Sequence, residues 1–318
     1  MVLLLGASGL LGRNVLEELL QRGVPVRALV RSPLSVPGVE VVRGSVLDDE
    51  DLAAAARGCS AIINCAGTTD MTLPSVRDFY PMNRDLPLRL CGMLDLCDIP
   101  VLIHVSTANT LVPGTREHPS DENAPFGAPY DRSAYAVSKH EGEKGILAYA
   151  RQHPEKRVVV LNPGFMLGAF DSKPSSGRLM LMGYRKPLML VTPGAKSFLH
   201  VRDAATAIVN ALDRGEGRYL LCGQCMSLKD FYALQARRMH YRQLCLVVPA
   251  FLLRVVGALG TVLQKLGIRN IFFWNNTRQL LVQEWYSSNR AREELKYPRT
   301  DIGEGIEDFF RWWNVYKN

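Results

Sequence analysis

Val2-Leu-Leu-Leu-Gly-Ala-Ser-Gly-Leu-Leu-Gly12 decides how this chain is read. Its first residues, Val2–Leu5, form an apolar run of strand length. Three glycines spaced GxxGxxG then lead into an amphipathic stretch, Arg13–Gln21, that ends at Gly23. Each glycine in such a strand–turn–helix has a physical purpose. Gly6 permits the tight turn, Gly9 lets the backbone approach a pyrophosphate, and Gly12 allows the helix to pack closely on the strand. The helix N-terminus offers unpaired N–H groups and a positive dipole end to phosphates. Gly6, Ser8, Gly9, Leu10, Leu11 and Gly12 are therefore the candidate dinucleotide contacts.

Working outward, Val24–Val30, Val39–Arg43, Ala61–Cys65, Val101–Val105 and Arg157–Asn162 read as strands. Asp51–Arg57 and the longer Asn83–Cys97 read as helices between them. Strands alternating with helices at this spacing predict an α/β fold, a doubly wound parallel sheet of Rossmann type covered on both faces. The alternation weakens after about residue 165. The expected organisation is a nucleotide-binding core over 1–165, with strands contributed by later segments, and a smaller substrate-binding lobe over 166–318. Pro174–Gly194, rich in Gly, Pro and Met, suits a segment that closes over a ligand.

The 318 residues are 47% hydrophobic and 22% charged, an ordinary balance for a globular enzyme. A net charge of +7 without any Lys/Arg tract favours anionic substrates or phosphorylated cofactors and does not call for nucleic acid. Seven cysteines have no disulfide-framework spacing, which suits a reducing, cytoplasmic setting. Cys222-Gly-Gln-Cys225 is a lone CxxC without a second ligand pair, so it reads as a buried strand end, not a metal site. Val2–Leu5 is too short for the apolar region of a signal peptide and is expected to be structure from the start.

Leu244–Leu263 is a 20-residue apolar stretch broken by Pro249, Arg254 and small residues. A membrane span is disfavoured by the central arginine and the helix breakers. Arg238, Arg242, Lys265 and Arg269 around it would suit an interfacial helix. The expectation is a helix over 244–263 that packs in the protein, with contact to a membrane surface or a lipophilic pocket as its rival readings.

The chemistry is carried by Tyr135 and Lys139 in Ser133-Ala-Tyr-Ala-Val-Ser-Lys139. At i and i+4 they share one helix face. A free phenol, with a pKa near 10, needs help to exchange protons at neutral pH. A close ammonium provides it, and Lys139 can also hydrogen-bond a nicotinamide ribose. Ser106-Thr107 ends the fifth strand, where ligands sit in an open α/β sheet, so either hydroxyl could hold a substrate oxygen. His104, inside that strand, reads as structural. Arg31 closes the second strand, where the adenosine ribose of a dinucleotide would lie. An arginine there pairs with a 2′-phosphate, whereas an acidic residue would take the 2′-hydroxyl of NAD. No Asp or Glu occurs between Arg22 and Val39, so NADP is favoured and NAD is the alternative. Arg13 and Ser32 are candidate helpers.

In these motifs the chain resembles the extended branch of the short-chain dehydrogenase/reductase superfamily. The resemblance runs through GxxGxxG, Asn64-Cys-Ala-Gly67, Ser106-Thr107, YxxxK and Asn162-Pro-Gly164. It continues in Phe198-Leu-His-Val-Arg-Asp203 and in Ser288–Leu295 with Tyr297-Pro298. It implies a catalytic set of Thr107, Tyr135 and Lys139, with Pro163, Gly164 and Phe165 along the nicotinamide. Asn64, Ala66 and Gly67 would lie on the adenosine side, and Asp203 would be structural. Gly44-Ser-Val-Leu-Asp48 is similar to the adenine-contacting segment, making Ser45 and Val46 contacts, although Ser45 stands where the family has an aspartate. Thr107 likewise replaces the more usual serine. Dihydroflavonol-reductase-type and 3β-hydroxysteroid-dehydrogenase-type members look most similar, which implies hydride transfer between NADP(H) and a lipophilic carbonyl or secondary alcohol.

A nucleotide-sugar epimerase or dehydratase holding NAD is the rival enzyme, disfavoured by Arg31. An NADP-sensing regulator is the non-enzymatic rival, disfavoured by the complete Tyr–Lys pair. Substrate selection falls to Met71–Pro81, Val112–Arg132 and Pro174–Gly194. The resemblance also implies a homodimer through helices like Asn83–Cys97 and Ser138–Gln152.

Overall fold

The computed structural model describes residues 1–70, 72–73, 75–265 and 280–317. Its centre is a seven-stranded, wholly parallel sheet in the order β10-β6-β5-β4-β1-β2-β3. The strands are β1 (Val2–Leu5), β2 (Val26–Val30), β3 (Val39–Arg43), β4 (Ala61–Asn64), β5 (Val101–Val105), β6 (Arg157–Pro163) and β10 (Gly217–Leu221). Successive side chains of a strand point to opposite faces, and β1 feeds both cores accordingly. Val2 and Leu4 pack with α1 (Leu10–Gln21) and α7 (Val201–Asn210). Leu3 and Leu5 pack with α2 (Asp49–Ala56), α4 (Leu86–Leu96) and α5 (Ala134–Gln152) on the other side. The strand order reverses between β1 and β4, and a crevice at the carboxyl ends of strands is expected there.

Several element boundaries differ from the sequence reading. α1 starts at Leu10, ahead of Arg13, with Gly9 as N-cap, so the glycine turn opens the helix directly. α2 starts at Asp49, because the Asp48 carboxylate caps the N–H groups of Glu50 and Asp51. The helix expected over 83–97 begins within a π-helical turn, Pro81–Asp85, and continues as α4; a short helix not expected from sequence, α3 (Val76–Tyr80), precedes it. A β-strand and helix beyond residue 165, β10 and α7, complete the central sheet and its cover.

The rest of the chain builds the second lobe. A three-stranded sheet joins β11 (Gln224–Ser227), β9 (Ala195–His200) and β7 (Phe165–Leu167). A two-stranded one joins β12 (Leu244–Val247) and β8 (Leu188–Val191). With α6 (Gly177–Gly183), α8 (Leu228–Arg238) and the C-terminal helix Ile302–Lys317 they enclose an aromatic core of Phe198, Phe231, Tyr232, Phe309 and Phe310. Asp203 has the structural role assigned to it: its carboxylate accepts from the N–H and hydroxyl of Thr300, tying α7 to the chain that enters that helix.

The helix expected over 244–263 is corrected. Residues 244–247 are strand β12, Pro249 breaks the chain, and α9 runs over Ala250–Lys265. Nor does α9 pack as an interior helix: Phe251, Val255, Leu259 and Val262 are all more than half exposed. Among the described residues no helix is long and apolar enough to cross a membrane. Arg269, the side chain of Lys265, and Met71 and Pro74 of the substrate-selecting segment lie outside the described residues.

Candidate active site

The glycine turn leaves β1 at Gly6, whose φ of +82° is the left-handed conformation that glycine adopts freely. A Cβ there would lie 2.7 Å from Ala66 N, and one on Gly12 would lie 2.0 Å from Gly6 O. The turn, the start of α1 and the chain after β4 are thus pressed together. Ser8 and Gly9 stay exposed at the lip. The groove beside them, about 100 Å³, is lined by Gly6, Ser8, Arg31, Ser45, Val46 and Ala66, all expected from sequence. Leu47, inside the Gly44–Asp48 segment, and Met82 also line it, and no sequence pattern marked Met82. Met82 arrives through the π-helical turn, an irregularity frequent at functional sites.

The other expected cofactor residues take separate positions. Leu10 and Leu11 open α1, and the Leu11 side chain is buried in the core, leaving its backbone N–H for a phosphate. Ser32 is exposed beside Arg31, also exposed. Ser45 N donates to Asp51 Oδ2 at 2.8 Å, so Asp51 shapes the loop in which serine stands for the family's aspartate. Gly67 sits against Lys139: a Cβ on it would be 2.9 Å from Nζ. Pro163 ends β6, Gly164 N donates to Leu221 O at 2.9 Å, and Phe165 packs edge-on against Phe198. This places Pro163–Phe165 at the seam between core and second lobe.

The catalytic candidates converge where β5 ends and α5 begins. Ser133 caps α5, and Tyr135 lies in its first turn with its ring edge toward Phe79. Burial pushes the Tyr135 phenol up, and a hydrogen bond with the Thr107 hydroxyl pulls it back. One turn on, Lys139 Nζ donates to Val105 O at 3.0 Å. Burial brings the Lys139 ammonium down to about 8, although Cys65 and Glu143 act to raise it. Its bond to Val105 holds Lys139 on β5, one turn along the helix face that carries Tyr135.

Ser106 and Thr107, equivalent candidates on chemistry alone, are separated by the structure. The Ser106 hydroxyl donates to Glu143 Oε2 at 2.6 Å. Thr110 and Asn162 donate to the same oxygen at 3.0 and 2.8 Å, and Arg218 Nε lies 2.6 Å from Oε1. Asn162 also donates to Thr107 O at 3.1 Å. This cluster gathers residues of β6 and β10 and the chain leaving β5 around a fully buried carboxylate, and it engages the Ser106 hydroxyl there. Sequence reading did not find Glu143 or Arg218. Glu143 follows Lys139 by one further helical turn, the one local sign that it shares that face. Asn83 was missed too. It joins Thr68 N and O to the Ser138 hydroxyl, pinning the chain beyond Gly67 to α5. His104 proves structural, as expected: it is fully buried 3.1 Å from Asn64 Nδ2, and burial with the nearby Lys139 holds it well below its ordinary pKa. Cys222 is buried beyond β10 and Cys225 is half-buried; both are free thiols, pushed up to about 12 by burial.

The arrangement has the parts of a two-site machine: a groove with a glycine turn for a dinucleotide and, beside it, a phenol with a proton to give. Sequence comparison agrees. The NAD dependent epimerase/dehydratase family matches residues 2–223. The sterol-4-alpha-carboxylate 3-dehydrogenase, decarboxylating, of Dictyostelium discoideum is 23% identical, over 96% of this chain and 99% of that protein. A putative dihydroflavonol 4-reductase of Synechocystis is 24% identical over 97% and 93%. Among solved structures, gox2253 superposes with a TM-score of 0.87 at 22% identity, covering 99% and 98% of the two chains. The UDP-glucose 4-epimerase of Thermus thermophilus, in complex with NAD, gives 0.77 at 18% identity over 98% of each. The chain belongs to the NAD dependent epimerase/dehydratase family, in the extended short-chain dehydrogenase/reductase branch, and is an oxidoreductase enzyme that uses an NAD(P) cofactor.

Proposed function

We propose that this enzyme exchanges a hydride between NADP(H) and a carbonyl or secondary alcohol of a lipophilic small molecule. The observation that carries the reading is the convergence of Thr107 and Tyr135, one helical turn from buried Lys139 and beside a groove rimmed by Arg31. The residues present fit a dinucleotide: the glycine turn leaves room for a pyrophosphate, and Arg31 at the end of β2 suits a 2′-phosphate. Bound NADPH supplies the hydride. Tyr135 donates its proton to the carbonyl oxygen as the carbon accepts that hydride, so an alcohol forms and the phenolate remains until water restores its proton. A phenol raised by burial stays protonated at neutral pH, the form that reduction requires. Thr107 would orient the carbonyl oxygen toward that phenol, and Lys139 would hold the nicotinamide ribose of a bound cofactor.

The experiment is a titration of the purified protein with NADPH and NADH, followed by nicotinamide fluorescence, then turnover with a panel of lipophilic ketones. A charge-assisted contact from Arg31 predicts NADPH binding about 10-fold or more tighter than NADH. NAD that co-purifies and resists washing would instead favour the nucleotide-sugar epimerase reading. NADPH binding without turnover, together with a protein partner, would favour a sensor.

A further inference from the structure

The second lobe presents an apolar surface that water-facing structure does not ordinarily have. β8 and β12 pair in parallel with Leu188 opposite Leu244 and Leu190 opposite Leu246. Met189, Val191 and Cys245 turn inward to the aromatic core. The alternate residues turn out, and Leu188, Leu190, Leu244 and Leu246 are 50%, 64%, 59% and 47% exposed. A solvated sheet face reads polar; this one is four leucines. The chain leaving β12 passes Pro249 directly into α9, where Phe251 and Leu259 are 62% and 59% exposed. Two elements, independent in secondary structure, thus expose apolar side chains side by side along the chain.

The strands and helix of this surface carry charges of one sign. Because the strands are parallel, both begin at the same edge. Exposed Arg185 and Lys186 precede β8 there, and exposed Arg242 precedes β12. Lys186 and Arg242 each stand two residues before the paired Leu188 and Leu244, so the cations form one cluster at that edge. Exposed Arg254 adds a charge on α9. The sequence has no Asp or Glu from 172 to 202 or from 231 to 265, the described segments that carry this face. A protein partner with an apolar patch would explain the leucines, but it would not require carboxylates to be excluded so completely. An apolar face whose own strands and helix carry cations and no carboxylate is complementary to an anionic bilayer, which takes leucine and phenylalanine into its acyl boundary and holds Lys and Arg at its headgroups.

We infer that the β8–β12 face and α9 form a docking surface for an anionic phospholipid membrane, on which the enzyme lies without spanning it. The inference rests on exposure and charge at this face and does not depend on the hydride-transfer reading. The test is flotation of the full-length protein with phosphatidylcholine vesicles, with and without phosphatidylglycerol. Expected is partition onto the anionic vesicles that weakens as salt rises. Replacing Arg185 and Arg242 with Glu reduces it by about 10-fold or more, on the scale of a few surface cations. L190E with L246E abolishes it. Unchanged thermal melting and NADPH affinity show that each variant is folded, and the arginine variant serves alone should the leucine variant misfold. The inference is overturned if the protein floats with neither vesicle, or if both variants float like the unmodified protein. It is also overturned if L190E with L246E converts a dimer to a monomer in light scattering while vesicles never bind, which would assign the face to a second copy of the chain.

Discussion

The Ser106 hydroxyl donates to Glu143 Oε2 at 2.6 Å, and that bond leaves the adjacent Thr107 as the hydroxyl that meets Tyr135. Two neighbouring alcohols on one strand end thereby acquire different tasks. Ser106→Ala should lower stability by about 1 kcal/mol, the net loss of one hydrogen bond, and preserve turnover. Thr107→Ala should cut kcat about 100-fold at unchanged NADPH affinity, and Thr107→Ser should restore it. Steady-state kinetics of the three variants, with urea unfolding, separate the two roles. Equal loss in both alanine variants would refute the division.

Glu143 is fully buried, so its removal acts on the fold before it acts on chemistry. Glu143→Leu strands Arg218 and three donors around an apolar side chain. Breaking one side of a buried ion pair costs about 3–5 kcal/mol, and the low end is expected because Arg218 can turn toward water. Urea denaturation should show that loss, and Arg218→Met should lose at least as much, because it leaves the fully buried carboxylate without its cation.

Lys139 gives stability a particular pH dependence. Burial holds its ammonium at about 8, below the ordinary 10.5. Between those values the unfolded chain binds more protons than the folded one, so this lysine makes stability rise with pH across that window. Below it the folded protein bears the full cost of a buried charge. The stability advantage of Lys139→Met over the unmodified protein should therefore shrink from pH 8 to 10.5, by on the order of 3 kcal/mol at most. Groups remote from Lys139 cancel in that difference, whereas Cys65, which acts on its ammonium, does not. A gap that widens with pH would contradict the assignment.

Arg31 stands at the rim of the groove as its candidate phosphate clamp. Arg31→Asp should weaken NADPH by about 30-fold and leave NADH equal or tighter, as an acidic residue there accepts from a ribose hydroxyl. Fluorescence titration of both cofactors reads the switch directly. An unchanged ratio would remove Arg31 from cofactor selection.

Much of this fold was legible because its signals are local. β5 spans Val101–Val105 as expected, since a short apolar run between turn residues has few other solutions. The glycine turn and the Tyr135–Lys139 spacing were readable for the same reason. Leu244–Leu263 was not, because continuous apolarity without a period cannot separate strand from helix. Pro249 marked the true break between β12 and α9. The Glu143 cluster was illegible for a different reason. Arg218 reaches it from β10, and Asn162 from β6, through pairings that only the folded sheet creates. Asn83 acts from a π-helical turn, inside a stretch whose pattern promised one unbroken helix.

The central claim is that Tyr135 gives the proton in an NADPH-dependent carbonyl reduction. Its most direct test is single-turnover oxidation of prebound NADPH by a ketone substrate, in Tyr135→Phe against the unmodified enzyme. The account predicts a rate about 1,000-fold slower in the variant, with NADPH affinity unchanged. Hydride transfer at an undiminished rate in Tyr135→Phe would contradict it.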